Sequence, residues 1–293
     1  MSAGPSRAHR ADDTHHVPPP GASGDEGAHW GSEAVDLHGP NLPALKARFL
    51  VEHVPDAGKV CEIGSGDGKL LRTLARHKPR LTLFGCDVRA PQTDPGAFYT
   101  FRPIDVEREG GARLPFADAE LDVVLVFDVL EHVPDPEATL REAARVLVPG
   151  GRLVAFVPVE GEALSFYEAY RKVLGRDTYA VTKEHVQAFT HDALRGLVDR
   201  HFQVNEIRYA YHALGQLMDA SFFAAAKLSF VRDFWWKENV YYNAPKEGAK
   251  PGLASVLMNK LLQLGNLAAY TESSLLSRRR FGSAGILFDA TLR

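Results

Sequence analysis

The 293-residue chain is 45% apolar and 24% charged with a formal net charge of −3, the profile of an ordinary globular protein with one sizeable core or two modest ones. That charge gives no global attraction to nucleic acid or to an acidic membrane. Only two cysteines occur, Cys61 and Cys86; they exclude a cysteine-based zinc or iron–sulfur centre and read as buried reduced thiols of a disulfide-free, cytoplasmic protein. No basic start leads into an apolar run, so no signal peptide is expected, and no stretch of about 18 apolar residues predicts a transmembrane helix.

Residues 1–35, rich in Gly, Pro, Ser, His and acids, hold too few large hydrophobes to offset their ordering entropy and are expected to form a disordered tail; Trp30 near its end reads as an incidental contact. The rest, 36–293, reads as one domain. A helix starts at Pro43 with Leu45, Phe49, Leu50 and Val54 on one face. A short strand, Lys59 to Ile63, ends in a glycine cluster and passes into a helix with Leu70, Leu71 and Leu74. Strands follow at Leu81–Asp87, Phe98–Phe101 and Leu121–Phe127. Asp135-Pro136-Glu137 opens a helix with an N-cap, a first-turn proline and an acid suited to the dipole, and Pro149-Gly150-Gly151 stops it. A strand from Arg152 to Pro158, a helix from His191 to His201, and strands from Phe202 to Tyr211 and Gly282 to Leu292 complete the pattern. Such alternation predicts an α/β fold: a Rossmann-like, mostly parallel seven-stranded sheet with helices on both faces, plus a helical insertion between the last two strands.

The most informative stretch is Val60-Cys61-Glu62-Ile63-Gly64-Ser65-Gly66-Asp67-Gly68. A strand that ends in glycines and turns into a helix lets backbone N–H groups approach a ligand closely. The spacing is G-x-G-x-G, not the G-x-G-x-x-G of a dinucleotide pyrophosphate site. Glu62, two residues before the first glycine, repels a pyrophosphate but suits an ammonium. Asp87 ends the next strand, placed for ribose hydroxyls. These features disfavour a nicotinamide oxidoreductase.

On these residues the chain resembles the class I S-adenosylmethionine-dependent methyltransferases. The likeness continues through Leu114-Pro115-Phe116-Ala117-Asp118, Leu121-Asp122-Val123-Val124, Phe127 to Pro136 and Leu147-Val148-Pro149-Gly150-Gly151, and is strongest to the ubiquinone-biosynthesis, "type 11" branch. The resemblance implies S-adenosylmethionine as cofactor. It places Gly64, Ser65, Gly66 and Gly68 along the methionyl and ribose portions, Glu62 at the amino group and Asp87 on the ribose. It also places Asp105, with neighbouring Val106, at the adenine, and Phe127 and Asp128 at the methionyl end.

Methyl transfer to a hydroxyl or an acidic carbon needs a base, and histidine titrates near neutrality. His132, after the fourth strand, and His185, in Lys183-Glu184-His185-Val186-Gln187, are the candidates; otherwise Glu131-His132 braces a helix. Asp128-x-x-Glu131-His132 is similar to a divalent-ion set of some quinone and RNA 2′-hydroxyl methyltransferases. Those relatives usually carry Glu where this chain has Asp128, and no metal is expected. Residues 214–278 carry Phe222, Phe223, Phe230, Phe234, Trp235, Trp236, Tyr241 and Tyr242. They would roof an acceptor pocket, form a homodimer interface, rest on a membrane surface or pack internally. The expected function is methyl transfer to a small-molecule acceptor, chiefly at oxygen. N- or C-methylation and a non-catalytic cofactor-binding module are the alternatives. No nucleic-acid partner is expected, since no basic stripe is interleaved with aromatics.

Overall fold

The computed structural model describes residues 33–105, 113–163, 165–168, 172, 185–226 and 253–293. Helix α1 (Leu42–His53) is followed by β1 (Ala57–Ile63), α2 (Lys69–His77), β2 (Arg80–Asp87), β3 (Thr100–Pro103) and β4 (Leu121–Phe127). Then come α3 (Pro136–Val146), β5 (Leu147–Pro158), α4 (His191–Val198), β6 (Phe202–Ala210), α5 (Ala213–Ala226), α6 (Leu253–Leu275) and β7 (Gly285–Leu292). The seven strands form one sheet in the order β3-β2-β1-β4-β5-β7-β6. The first five run parallel, and β7 enters antiparallel to both β5 and β6.

Alternate residues of the central strands feed two cores. On one face Cys61, Ile63, Val124 and Val126 pack with Leu140, Ala143 and Val146 of α3 and Leu194 of α4. On the other, Val60, Val123 and Leu125 pack with Phe49 and Leu50 of α1 and Leu71 and Leu74 of α2. A central parallel strand buried on both faces explains why β4 reads as an almost unbroken apolar run. Its one interruption, Asp122, accepts the Lys59 N–H at 2.7 Å.

Helix starts follow the sequence signals. Asn41 caps α1 by accepting the Ala44 N–H at 2.8 Å, and Asp135 caps α3 by accepting that of Ala138 at 3.0 Å. Several boundaries differ. Strand β1 starts at Ala57 rather than Lys59, and β5 starts at Leu147 rather than Arg152, so α3 already ends at Val146 and Pro149-Gly150-Gly151 lies within the strand instead of stopping the helix. The third strand begins at Thr100 rather than Phe98, because Tyr99 turns inward as a plug against Gly68 and Gly85. Helix α4 stops at Val198, not His201. The last strand starts at Gly285, after a turn in which Gly282 takes the left-handed φ of 72°.

Between β6 and β7, α5 and α6 pack on each other, with the bare Gly265 lying against Met218. Phe222 and Phe223 fall in α5, whereas Phe230, Phe234, Trp235, Trp236, Tyr241 and Tyr242 lie outside the described residues, as do Trp30 and most of the expected tail. Among the described residues no helix is long and apolar enough to cross a membrane. Cys61 and Cys86 are buried and unbridged, as expected.

Candidate active site

Crossovers run from β1 towards β2 and β3 on one side and from β4 towards β5 on the other. A crevice therefore opens where the carboxyl ends of β1 and β4 meet, the place where open α/β sheets bind ligands. The glycine loop fills one lip. Gly64, Gly66 and Gly68 all take positive φ (69°, 48° and 75°), which lets the chain turn sharply from β1 into α2. Two of the three are hemmed in. A Cβ on Gly64 would meet Val129 Cγ2 at 2.5 Å, and one on Gly68 would meet the Tyr99 ring at 2.3 Å. Gly66 has nothing within 4 Å of its Cβ direction. That glycine faces open space at the crevice.

The loop is anchored from β2. Gly64 and Ser65 donate their N–H groups to the Cys86 carbonyl at 2.7 and 3.1 Å, and Gly66 donates to Asp87 Oδ2 at 2.9 Å. The other Asp87 oxygen accepts the Arg89 N–H at 3.1 Å, and unused lone pairs remain on the carboxylate for a diol. Glu62, at 4% exposure, is almost completely buried at the end of β1. Its Oε2 and the Ser65 hydroxyl have no hydrogen-bond partner among the described residues. Burial pushes the Glu62 carboxyl well above the usual range, and the negative Asp87 and Asp128 add to this. A buried carboxyl this poorly paired suits a cation delivered by a ligand.

The opposite lip follows β4. Phe127 packs into the apolar core beneath the crevice. Asp128 leaves the strand with φ 53° and is held by Lys46 of α1, whose ammonium lies 2.8 and 3.0 Å from its two oxygens and 3.5 Å above the Phe156 ring. Glu131 is 1% exposed with neither oxygen hydrogen-bonded among the described residues. Burial, then the charge of Asp128, raises its pKa to about 8, so it is largely neutral at pH 7.

His132 and His185 meet here. Their rings stand edge to face with centroids 4.7 Å apart. The segment carrying His185 is stapled to β4 because Val186 and Gln187 both donate to the Glu131 carbonyl, at 2.8 and 3.0 Å. His185 Nδ1 lies 3.2 Å from Glu160 Oε2, just past β5. Burial lowers the His185 pKa, but Glu160 outweighs it through its hydrogen bond and charge, and Glu131 and Asp128 add to the net rise.

Every described candidate thus stands along the carboxyl edge of the sheet. Asp105, two residues past β3, bridges to Arg113, and Val106 lies outside the described residues. Among the described residues, Glu131, His132 and His185 bring one donor atom each within 4.8 Å of one another. The sequence grouped Asp128 with Glu131 and His132; this closer group takes His185 instead. Lys46 and Glu160 escaped the sequence reading. Lys46 sits 82 positions from its partner with no local signal, whereas an acid just past a strand's carboxyl end is a readable cue.

A seven-stranded sheet of this order, with a glycine loop and acids at its switch point, defines a Rossmann-like α/β domain. Residues 61–155 match the model of a methyltransferase domain family. The ubiquinone biosynthesis O-methyltransferase of Stutzerimonas stutzeri (strain A1501) is 34% identical over 131 residues, 42% of this chain and 53% of the relative. An uncharacterized methyltransferase of Mycobacterium sp. (strain JLS) is 36% identical over 103 residues, 35% of this chain and 40% of the relative. The chain spans about half the length of the curated ubiquinone relatives it matches. Among solved structures, the [4+2]-cyclase SpnF aligns with a TM-score of 0.52 at 16% identity, covering 90% of this chain and 87% of that one. A geranyl diphosphate methyltransferase solved in complex with GPP and sinefungin aligns at 0.50 and 14% identity, covering 90% of this chain and 88% of that one. These two similarities establish the fold alone.

Proposed function

We propose that the chain binds S-adenosylmethionine across the β1/β4 crevice and transfers its methyl group to an oxygen of a small-molecule acceptor. The observation that carries this reading is the open space over Gly66, flanked by the orphaned Glu62 carboxyl and by Asp87. The fold by itself decides nothing about chemistry, since a cyclase shares it. The site residues and the matched domain support methyl transfer.

The chain's own groups fit the cofactor. Glu62 would take the methionyl ammonium, and the positive-φ loop lets Gly66 lie against the cofactor. Asp87 would accept from the ribose hydroxyls, with Asp105 and Val106 towards the adenine. When bound, the cofactor supplies an electrophilic methyl group. The protein then has to align an acceptor, exclude water and remove a proton. His185 is assigned the proton. It is partly buried beside the crevice, and His132 packs edge to face against its ring. The helices α5 and α6, with the aromatic residues between them, are assigned to the acceptor side or to a second copy of the chain. Buried, unpaired cysteines suit a reducing, cytoplasmic compartment.

A screen of phenolic, sugar and lipid acceptors with methyl-labelled cofactor tests this reading. Label is expected on an acceptor oxygen, and His185→Gln is expected to lower turnover about 100-fold or more with little change in cofactor affinity. Label on nitrogen or carbon would redirect the acceptor class. Cofactor binding without any labelled product would favour a non-catalytic binding module.

A further inference from the structure

The segment after β5 carries two acids, Glu160 and Glu162, and each meets one histidine of the segment that leads into α4. The two pairs are built differently. His191 is 3% exposed and uses both ring nitrogens inside the protein: Nδ1 lies 2.7 Å from Glu162 and Nε2 lies 3.0 Å from the Ser283 hydroxyl. That pair braces α4 against the start of β7. The other pair lies on the crevice side, with His185 beside His132 and Glu131.

We infer that Glu160 is a positioning residue: its carboxylate accepts the His185 Nδ1–H, so that Nε2 is the ring's basic nitrogen in the crevice. The inference rests on the reading above that His185 takes the acceptor's proton.

Three observations carry it. First, the side chains of Glu160 and His185 are only 15% and 17% exposed, so their attraction is weakly screened and the carboxylate has little water to turn to instead. Second, the backbone on both sides is fixed. Val159 donates to the Ala284 carbonyl at 2.8 Å and Gly161 to the Phe189 carbonyl at 3.0 Å, which locks Glu160 in place. A Cβ on Gly161 would come within 2.6 Å of the Ala188 carbonyl, so the two segments are in direct contact. The Glu131 carbonyl holds Val186 and Gln187, fixing His185. Third, the His132 ring packs on the imidazole at 4.7 Å and leaves it little room to turn. A flipped ring would set a carbon against Glu160 and lose the charge-assisted hydrogen bond.

The titratable groups around His185 are Glu160, Glu131 and Asp128, with His132 in ring contact and Lys46 holding Asp128. Glu160 lies within hydrogen-bond distance of the His185 Nδ1.

Nitrogen-15 NMR of the full chain with labelled histidine, assigned through His185→Gln, tests the inference without any acceptor. Neutral His185 is expected as the Nδ1–H tautomer in the wild type. In Glu160→Ala it is expected to revert towards the Nε2–H form that an unconstrained histidine favours. Glu160→Asp is expected to restore the Nδ1–H form, and Glu162→Ala to leave it unchanged. If Glu160→Ala does not fold, the isosteric Glu160→Gln is read in the same way for weakening of the Nδ1–H preference. With an acceptor from the screen, Glu160→Ala is expected to lower kcat about 10-fold or more while KM for S-adenosylmethionine holds, with recovery in Glu160→Asp. An Nε2–H ring in the wild type, or a tautomer indifferent to residue 160, overturns the inference even if methyl transfer is confirmed. The expected tautomers in a protein that does not bind S-adenosylmethionine would uphold the pairing and overturn the methyltransferase reading.

Discussion

Gly66→Ala is expected to lower S-adenosylmethionine affinity about 10-fold or more while the protein still folds. Gly68→Ala is expected to damage the fold itself. Both glycines have left-handed φ, so an alanine at either costs roughly 1–2 kcal/mol in backbone strain. They part company beyond that shared cost. At Gly68 the new methyl would lie 2.3 Å from the Tyr99 ring, and Tyr99 is a buried plug also pressed against Gly85, so the ring cannot move away cheaply. At Gly66 the methyl meets no protein atom within 4 Å and enters the space assigned to the cofactor. Thermal melts read alongside titrations with S-adenosylmethionine separate the two. Equal loss of stability in both variants, with affinity for the cofactor retained in Gly66→Ala, would contradict the placement of the ligand.

Glu62→Gln is expected to stabilise the free protein near neutral pH and to weaken S-adenosylmethionine binding about 10-fold or more. Burial, with Asp87 and Asp128 adding to it, holds the Glu62 carboxyl above its unfolded value. The sign follows from linkage. Below the ordinary carboxylate range Glu62 is neutral folded and unfolded, and it has no effect on stability. As pH rises past the unfolded value, the unfolded chain ionises first and the fold loses stability until the raised folded value is reached. Glutamine removes that loss. It also removes the negative partner for the methionyl ammonium, which binds the ionised carboxylate and releases its proton. Wild-type affinity is therefore expected to rise with pH in this window, and that of Glu62→Gln to stay flat. Parallel pH profiles for the two proteins would show that Glu62 does not hold the cofactor's amine.

The glycine loop, the strands beside it and their acids were legible in the sequence because each signal is local. Glycines fall where positive φ is needed, Asp135 and Pro136 sit at a helix start, and the apolar run of β4 marks a strand buried on both faces. The third strand was misplaced by two residues because Phe98 and Tyr99 look like strand residues. Packing against Gly68 and Gly85 takes Tyr99 out of the ladder. Chemistry assembled from distant segments was less legible. His132 and His185 each stand out in the sequence, yet nothing local places them in ring contact or sets Glu160 behind one of them. Lys46 reaches Asp128 from a helix that reads as plain amphipathic cover.

Calorimetric titration of the full chain with S-adenosylmethionine tests the central claim most directly. One site with a dissociation constant on the order of micromolar is expected, with Gly66→Ala and Glu62→Gln both weaker. No measurable heat with S-adenosylmethionine, or binding of a reduced nicotinamide in its place, would contradict the assignment of this crevice.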